Sequence, residues 1–417
     1  MKKSSGVLMH AVGLLVCVVI YGTAFGTTWA QDWPQWRGPN RDGVAPFTEP
    51  KVWPEKLTTK WKVTIGEGYA SPLYASGRIL EFARQGDDEV AMAIDPNNGK
   101  ILWRQSYPAP YEPVSSAARH GKGPKSTPLV YEGKLYTFGI SGILSAFDAA
   151  TGKVEWRKDY SKDFKGTWPM FGTSMSPVAA DGVVVVLIGT NDDGAVAAYD
   201  AKSGAQKWIW KGDGPAYGSP VIVEMGGVKQ VVTLTQKYAV GLSFASGDLL
   251  WKIDFPGRSG MNIPTPLPFG KRLILAGDPG TMLLQVNQQN NNWTTEKAWT
   301  ITELTMRFSS PVQKGNLIFG FSNRTSGIFF CVDADSGKTL WTSPPRQGDN
   351  AVVLIAGDLL FLLKDNAELI VARASGNGFE PLHHYEIADS STYANPLMLA
   401  RGIVIKDNTA LSLLSWE

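Results

Sequence analysis

The chain has 417 residues, enough for several ordinary domains or one large repeat fold. With 19% charged and 43% hydrophobic residues it is not a disordered chain, and a formal charge of +2 gives no global attraction to nucleic acid. Two cysteines cannot make a disulfide framework and four histidines leave little for a histidine-rich metal site; 44 glycines, 26 prolines and 15 tryptophans are what stand out.

In chain order, Lys2 and Lys3 precede an apolar run at residues 12–21, too short for a membrane span. Thr28-Trp29-Ala30 then places small residues where signal peptidase needs them. Residues 1–30 are therefore expected to be a cleaved export signal, and the mature protein periplasmic or secreted, without stable membrane insertion. Cys17 has valine on both sides within the apolar run, which does not suit lipidation. Residues 31–58 read as an N-terminal strap, rich in Trp and Pro, lying over the blades.

Residues 59–417 read as an array. Asp, three residues, Gly, three residues, Trp recurs at Asp95…Gly99…Trp103, Asp148…Gly152…Trp156, Asp200…Gly204…Trp208 and Asp333…Gly337…Trp341. Ser243…Gly247…Trp251 keeps the spacing. A small residue and Pro precede each unit: Ser71-Pro72, Thr127-Pro128, Ser176-Pro177, Ser219-Pro220, Thr265-Pro266, Ser310-Pro311 and Asn395-Pro396. The spacing is about 45 residues, and one unit without its proline, at 351–374, fills the last gap. Each unit alternates apolar runs with Gly-rich turns, the pattern of four short strands. The expectation is an all-β, eight-bladed propeller of four-stranded antiparallel blades. The last unit ends one strand short, so residues 59–63, which carry Trp61, should close it. Trp61, Trp103, Trp156, Trp208, Trp251 and Trp341 are read as structural, each docking its blade on a neighbour.

Residues 126–156 nearly spell the repeat of the pyrroloquinoline-quinone (PQQ) enzymes, and the resemblance runs over residues 60–416. That superfamily holds both quinoprotein alcohol dehydrogenases and BamB-like proteins of outer-membrane β-barrel assembly. The mature start, Asp32-Trp33-Pro34-Gln35-Trp36-Arg37-Gly38-Pro39, also resembles that of exported PQQ-like propellers. For the dehydrogenases the resemblance implies a quinone with a calcium or lanthanide ion, an Asp base and often paired cysteines. Beyond Cys17 the chain has only Cys331, and no Cys-x-x-Cys-His haem site.

Innermost propeller strands line the channel, so residues just before each Pro phrase should ring one mouth. The ligand-binding candidates are Tyr69, Lys125, Phe171, Tyr217, Asn262, Arg307 and Tyr393, suited to a planar or anionic ligand. The basic run Arg119–Lys125 reads as a solvated loop, Asp192-Asp193 as a hairpin turn, and His383-His384 as a surface pair. No catalytic residue and no metal ligand is assigned. The leading expectation is a non-catalytic, monomeric scaffold that binds a protein partner in the cell envelope and uses no cofactor. The alternatives are a PQQ- and calcium-dependent dehydrogenase oxidising alcohols or sugars, and a small-molecule or carbohydrate binder at the channel mouth. The export reading predicts that N-terminal sequencing of the exported protein begins at Gln31; a mature chain that retains Met1 would overturn it.

Overall fold

The computed structural model describes Met1 and residues 32–417, apart from Asn291 and Arg401. The expected export signal, its cleavage point and Cys17 lie outside the described residues. Eight antiparallel sheets form a ring. Blade 1 comprises Leu73–Ala75, Arg78–Gln85, Asp88–Ile94 and Ile101–Pro108, hydrogen-bonded in that order. Blades 2 to 6 repeat the plan, starting at Leu129–Tyr131, Val178–Ala180, Val221–Met225, Leu267–Phe269 and Val312–Lys314. The unit without a proline is blade 7, Ala351–Ala356 through Pro381–Glu386. Blade 8 takes three strands from the C-terminus, Leu397–Leu399, Gly402–Lys406 and Ala410–Ser415. Its outer strand is Thr58–Thr64, with Trp61 opposite Leu413, as the missing strand required.

Alternation explains the layering. The second and third strands of each blade are buried on both faces, as in Leu359–Lys364. The outer strands alternate, as in Ile101–Pro108, with one face packed and one wet. The repeated residues tie blade to blade. Trp61 Nε1 donates to the Pro96 carbonyl at 2.8 Å, Trp103 to Ala149 at 3.2 Å, Trp156 to Ala201 at 3.1 Å, Trp208 to Phe244 at 2.9 Å and Trp341 to Ser375 at 2.8 Å. Each acceptor lies at the start of the next blade's outer turn. The turn glycine is there because the ring needs its space. Gly152 has φ +76°, and a Cβ on it would fall 2.5 Å from Trp103 Cε3. The turn Asp accepts amides within its own turn, as Asp148 does from Thr151.

Trp251 departs from this expectation. Its Nε1 donates to Gln230 Oε1 of its own blade at 2.8 Å, and its ring lies over Gly241. The reason is the next blade, whose outer hairpin Gly280–Gln289/Asn292–Ile301 is long and offers no Gly turn at that height. Trp299, which has no Asp-Gly phrase before it, nevertheless docks like the others, on the Ala334 carbonyl at 2.9 Å.

The small residue before each proline has its own task at the hub. The Asn395 amide donates to Ser71 Oγ, Ser71 to Thr127 Oγ1, Thr127 to Ser176 Oγ, and Ser176 to Ser219 Oγ, each at 2.9–3.0 Å. Thr265 donates to Ser310 Oγ at 2.9 Å. These buried hydroxyls form a belt around the channel from blade to blade.

The strap does not lie over the blades; it enters the ring. Trp33 exchanges two backbone hydrogen bonds with Tyr74 on the innermost strand of blade 1, and the Pro34 carbonyl accepts from Val130 of blade 2. Trp36 Nε1 bonds Thr265 Oγ1 at 2.9 Å, where the belt has no Ser219–Thr265 link among the described bonds. The Arg37 guanidinium donates to the Ser310 and Pro311 carbonyls of blade 6, and Arg41 to Ser176 and Pro177 of blade 3. Val44–Ala45 then pairs in parallel with Ile355 and Ala356 of blade 7. Both arginines are 3% exposed. Burial lowers Arg37 to about 10 and Arg41 to about 9, and carbonyl oxygens hold both in place of carboxylates.

Further along, the strap seals the closure. In blade 7 the Trp register is taken by His383, opposite Val371. Blade 8 has no outer turn to receive it, because its outer strand is Thr58–Thr64 and not a continuation of its third strand. Trp53 stacks on His383 instead, at 4.8 Å, and packs with Phe47, Phe361 and Trp416. His383 is thus a packing residue, while its neighbour His384 is exposed and bonded to Glu368.

Gly152 and Gly133 share a left-handed backbone, but nothing lies within 4 Å of a Cβ on Gly133. Gly133→Ala should cost about 1–2 kcal/mol from backbone strain alone. Gly152→Ala must also displace Trp103, so its melting temperature should fall several degrees further. Equal losses would refute a docking role for the turn.

Candidate functional site

The strap closes the channel below, and a cavity of about 180 Å³ remains at the other mouth, with Trp36 in its lining. Tyr69, Lys125, Phe171, Tyr217 and Tyr393, all placed by the Pro-phrase rule, line it. Tyr69 and Tyr393 lie 4.7 Å apart between ring centroids, and Phe171 meets Tyr217 edge-on at 5.7 Å. The Phe171 amide donates to the Tyr217 hydroxyl at 3.2 Å.

Two of the expected residues are not in the lining. Asn262 is fully buried. Its Nδ2 donates to the Thr235 and Phe255 carbonyls, while its own backbone carbonyl accepts from the Tyr217 and Gly218 amides. It braces Tyr217 and does not face the cavity. Arg307 gives its amide to Asn323 Oδ1, and its neighbour Phe308 takes the lining position. The rule fixes where the backbone lies and leaves the side chain's direction open.

Other lining residues come from segments with no repeat signal. The basic run is not a free loop. Ser115–His120 is a short 3₁₀ turn that carries Arg119 and His120 over the mouth. The His120 ring meets Phe171 at 5.2 Å, Tyr393 at 5.7 Å and Tyr69 at 6.4 Å, all edge-on. Burial, then the Arg119 and Lys125 charges, lower its pKa and favour the neutral imidazole. Asp349 and Asp365 add carboxylates on the blade 7 side. Asp365 is raised by burial, and Asp349 pushes the same way, against the Asn350 amide bond.

Lys125 is the deepest cation. Burial depresses it to about 8, although Glu89 behind it pulls upward. Glu89 is fully buried and accepts from the Ile140 amide at 2.7 Å and the Tyr107 hydroxyl at 2.9 Å. Burial raises its carboxyl to about 7 against these bonds. Its Oε2 fills the space a Cβ on residue 139 would need, which makes Gly139 a requirement of this carboxyl.

The ring has counterparts in known proteins. A family model described as outer membrane protein assembly factor BamB matches residues 86–343 and 285–378. The chain belongs to this family. BamB of Burkholderia pseudomallei is 23% identical over 343 residues, 70% of this chain and 74% of its own. The solved BamB of Moraxella catarrhalis shares the fold at TM-score 0.60 and 14% identity, covering 86% of this chain and 99% of that one. The quinohemoprotein alcohol dehydrogenase ADH-IIG of Pseudomonas putida is 29% identical over 160 residues, 36% of this chain. In that alignment the chain spans only 21% of the enzyme's length. The enzyme's solved structure has the same fold, TM-score 0.66 at 14% identity, covering 92% of this chain and 80% of that one.

A quinone with its metal ion asks for rings, cations and converging carboxylates. The rings and cations are present. No group of three or more His, Cys, Asp or Glu side chains able to hold a metal occurs among the described residues. Cys331 is buried in the strand Ile328–Asp333, away from any second thiol among the described residues. Asp349, Asp365 and the Asn350 amide are the oxygen donors among the lining residues on the blade 7 side.

Glu89 gives a pH signature. Its folded pKa lies above the ordinary 4.5, so its neutral form stabilises fully below that value, and the contribution is lost as pH rises through about 7. The melting temperature should therefore fall between about pH 5 and pH 8. Glu89→Gln should remove that part of the fall; an unchanged pH profile in the variant would refute it.

Proposed function

We propose that this protein is an exported scaffold of outer-membrane protein assembly, holding a protein partner on the mouth face of its propeller. The observation that carries this reading is reciprocal coverage. The match to the Burkholderia BamB spans about seven-tenths of both chains, whereas the match to the dehydrogenase spans a fifth of the enzyme. The protein works as a single copy in the periplasm. No helix among the described residues is long and apolar enough to cross a membrane.

The mouth face suits docking. Phe308 in the cavity lining and Val114, just before the turn Ser115–His120, are exposed, 37% and 46%. Large apolar side chains left in water beside a polar rim are what a partner covers.

A photo-crosslinking residue at position 308 or 114 should capture an outer-membrane assembly protein in the intact envelope, while one at Leu249 on the outer rim should not. With the crosslinking residue at position 308, Val114→Asp should cut the yield at least tenfold at an unchanged melting temperature. PQQ-plus-calcium-dependent dye reduction with alcohols or sugars would instead establish the dehydrogenase.

A further inference from the structure

The mouth cavity holds charges that do not neutralise each other. Lys125 and Asp365 lie half-buried in its wall, with Arg119 and Asp349 nearer the rim. None of these four side chains forms a salt bridge among the described residues. The Lys125 side chain has no hydrogen bond there either; that of Arg119 bonds only the His120 ring, at 3.2 Å. Elsewhere the fold leaves few such groups alone. Arg37, Arg41, Arg84 and Lys406 are all buried and all held by carbonyl oxygens.

The cations and the anions occupy different arcs of the ring. Arg119 and Lys125 come from the connection between blades 1 and 2, whereas Asp349 and Asp365 belong to blade 7. Tyr69 of blade 1 and Tyr393 of blade 8 stand between them, and the Tyr393 hydroxyl feels both the Asp365 and Asp349 charges and that of Arg119. Aromatic rings prevent the opposite charges from collapsing together. A cavity built this way is polarised: positive at one end, negative at the other, and apolar between.

We infer that the mouth cavity binds a zwitterion with an aromatic or apolar body, of the chemical class of an aromatic amino acid or a short peptide. Its carboxylate faces Lys125 and Arg119, its ammonium faces Asp349 and Asp365, and its body lies among Tyr69, Phe171, Tyr217 and Tyr393. A carboxylate supplies the charge-assisted bonds that Lys125 lacks. An ammonium gains from the paired carboxylates and from the faces of neighbouring rings. A simple anion leaves the blade 7 carboxylates opposed to it, and a simple cation leaves Lys125 and Arg119 unpaired. The inference is independent of the scaffold reading, since it concerns a small molecule and is read by calorimetry and not by crosslinking.

The test uses the mature protein and four probes: L-phenylalanine, the dipeptide Ala-Phe, 3-phenylpropionate and phenethylamine. At least one of the two zwitterions should bind at least tenfold more tightly than either half-ligand. Lys125→Met should weaken the zwitterion and 3-phenylpropionate while leaving phenethylamine unchanged. Asp365→Asn should do the converse, and both variants should keep the wild-type melting temperature to within a few degrees. If 3-phenylpropionate binds as tightly as the zwitterions, the site is a plain anion pocket and the inference fails. It fails equally if neither zwitterion binds at millimolar concentration, or if Lys125→Met weakens all probes alike.

Discussion

The ring depends on a single kind of contact made again and again: an indole N–H given to the first carbonyl of the neighbour's outer turn. Each such bond is worth about 1 kcal/mol net, but the indole that makes it also buries a large apolar face against the next blade. Blades on their own are small sheets that cannot hide both faces. The contact is directional, so it sets not only adhesion but the angle from one blade to the next. At the hub the serine and threonine belt repeats the same logic with small groups. A wide indole at the rim and a short hydroxyl at the centre together give the wedge shape that eight blades need to close.

Where the repeat lapses, the molecule substitutes something else. Blade 5's long hairpin offers no docking turn, and Trp251 folds back on Gln230. Blade 8 has no outer turn, and the strap's Trp53 takes its place against His383. The belt lacks a link at Thr265, and Trp36 donates there. Two of these three repairs come from the strap. That segment is better understood as a ninth structural component, filling the axis with two arginines whose donors satisfy carbonyls of blades 3 and 6.

The architecture was legible because it is periodic. Identical spacing of Asp, Gly and Trp exposes the blade unit, and a final unit one strand short exposes the closure by Thr58–Thr64. The position of the mouth was legible for the same reason, and it put five of seven residues on the cavity. Asn262 and Arg307 show the limit: a repeat fixes backbone position, while the direction of a side chain follows from local packing. Arg119 and His120 stand out in sequence only as part of a basic run, and Asp365 and Trp36 carry no signal that points to the mouth. They arrive from a connector, from a second hairpin and from the strap, and no period relates them to the mouth. The strap's richness in Trp and Pro suggests a cover over the blades; it enters the ring because the carbonyls of Ser310, Pro311, Ser176 and Pro177 accept the donors of Arg37 and Arg41.

The closure of blade 8 sets the order in which the chain can be assembled. Its outer strand lies near the beginning of the propeller sequence and its other three strands at the far end. An exported chain would deliver residues 58–64 first and then wait for almost everything else. Blades 1 to 7 can form as neighbours arrive, each by local pairing, but the last sheet joins residues more than three hundred positions apart. Such pairing is slow because the loop entropy must be met before any contact rewards it. Until then the strand Thr58–Thr64 lacks its pairing partner and Trp53 lacks Trp416, and an open arc presents two raw edges. The vulnerable interval in this protein's life is therefore the short time between release of its final strands and the latching of that sheet.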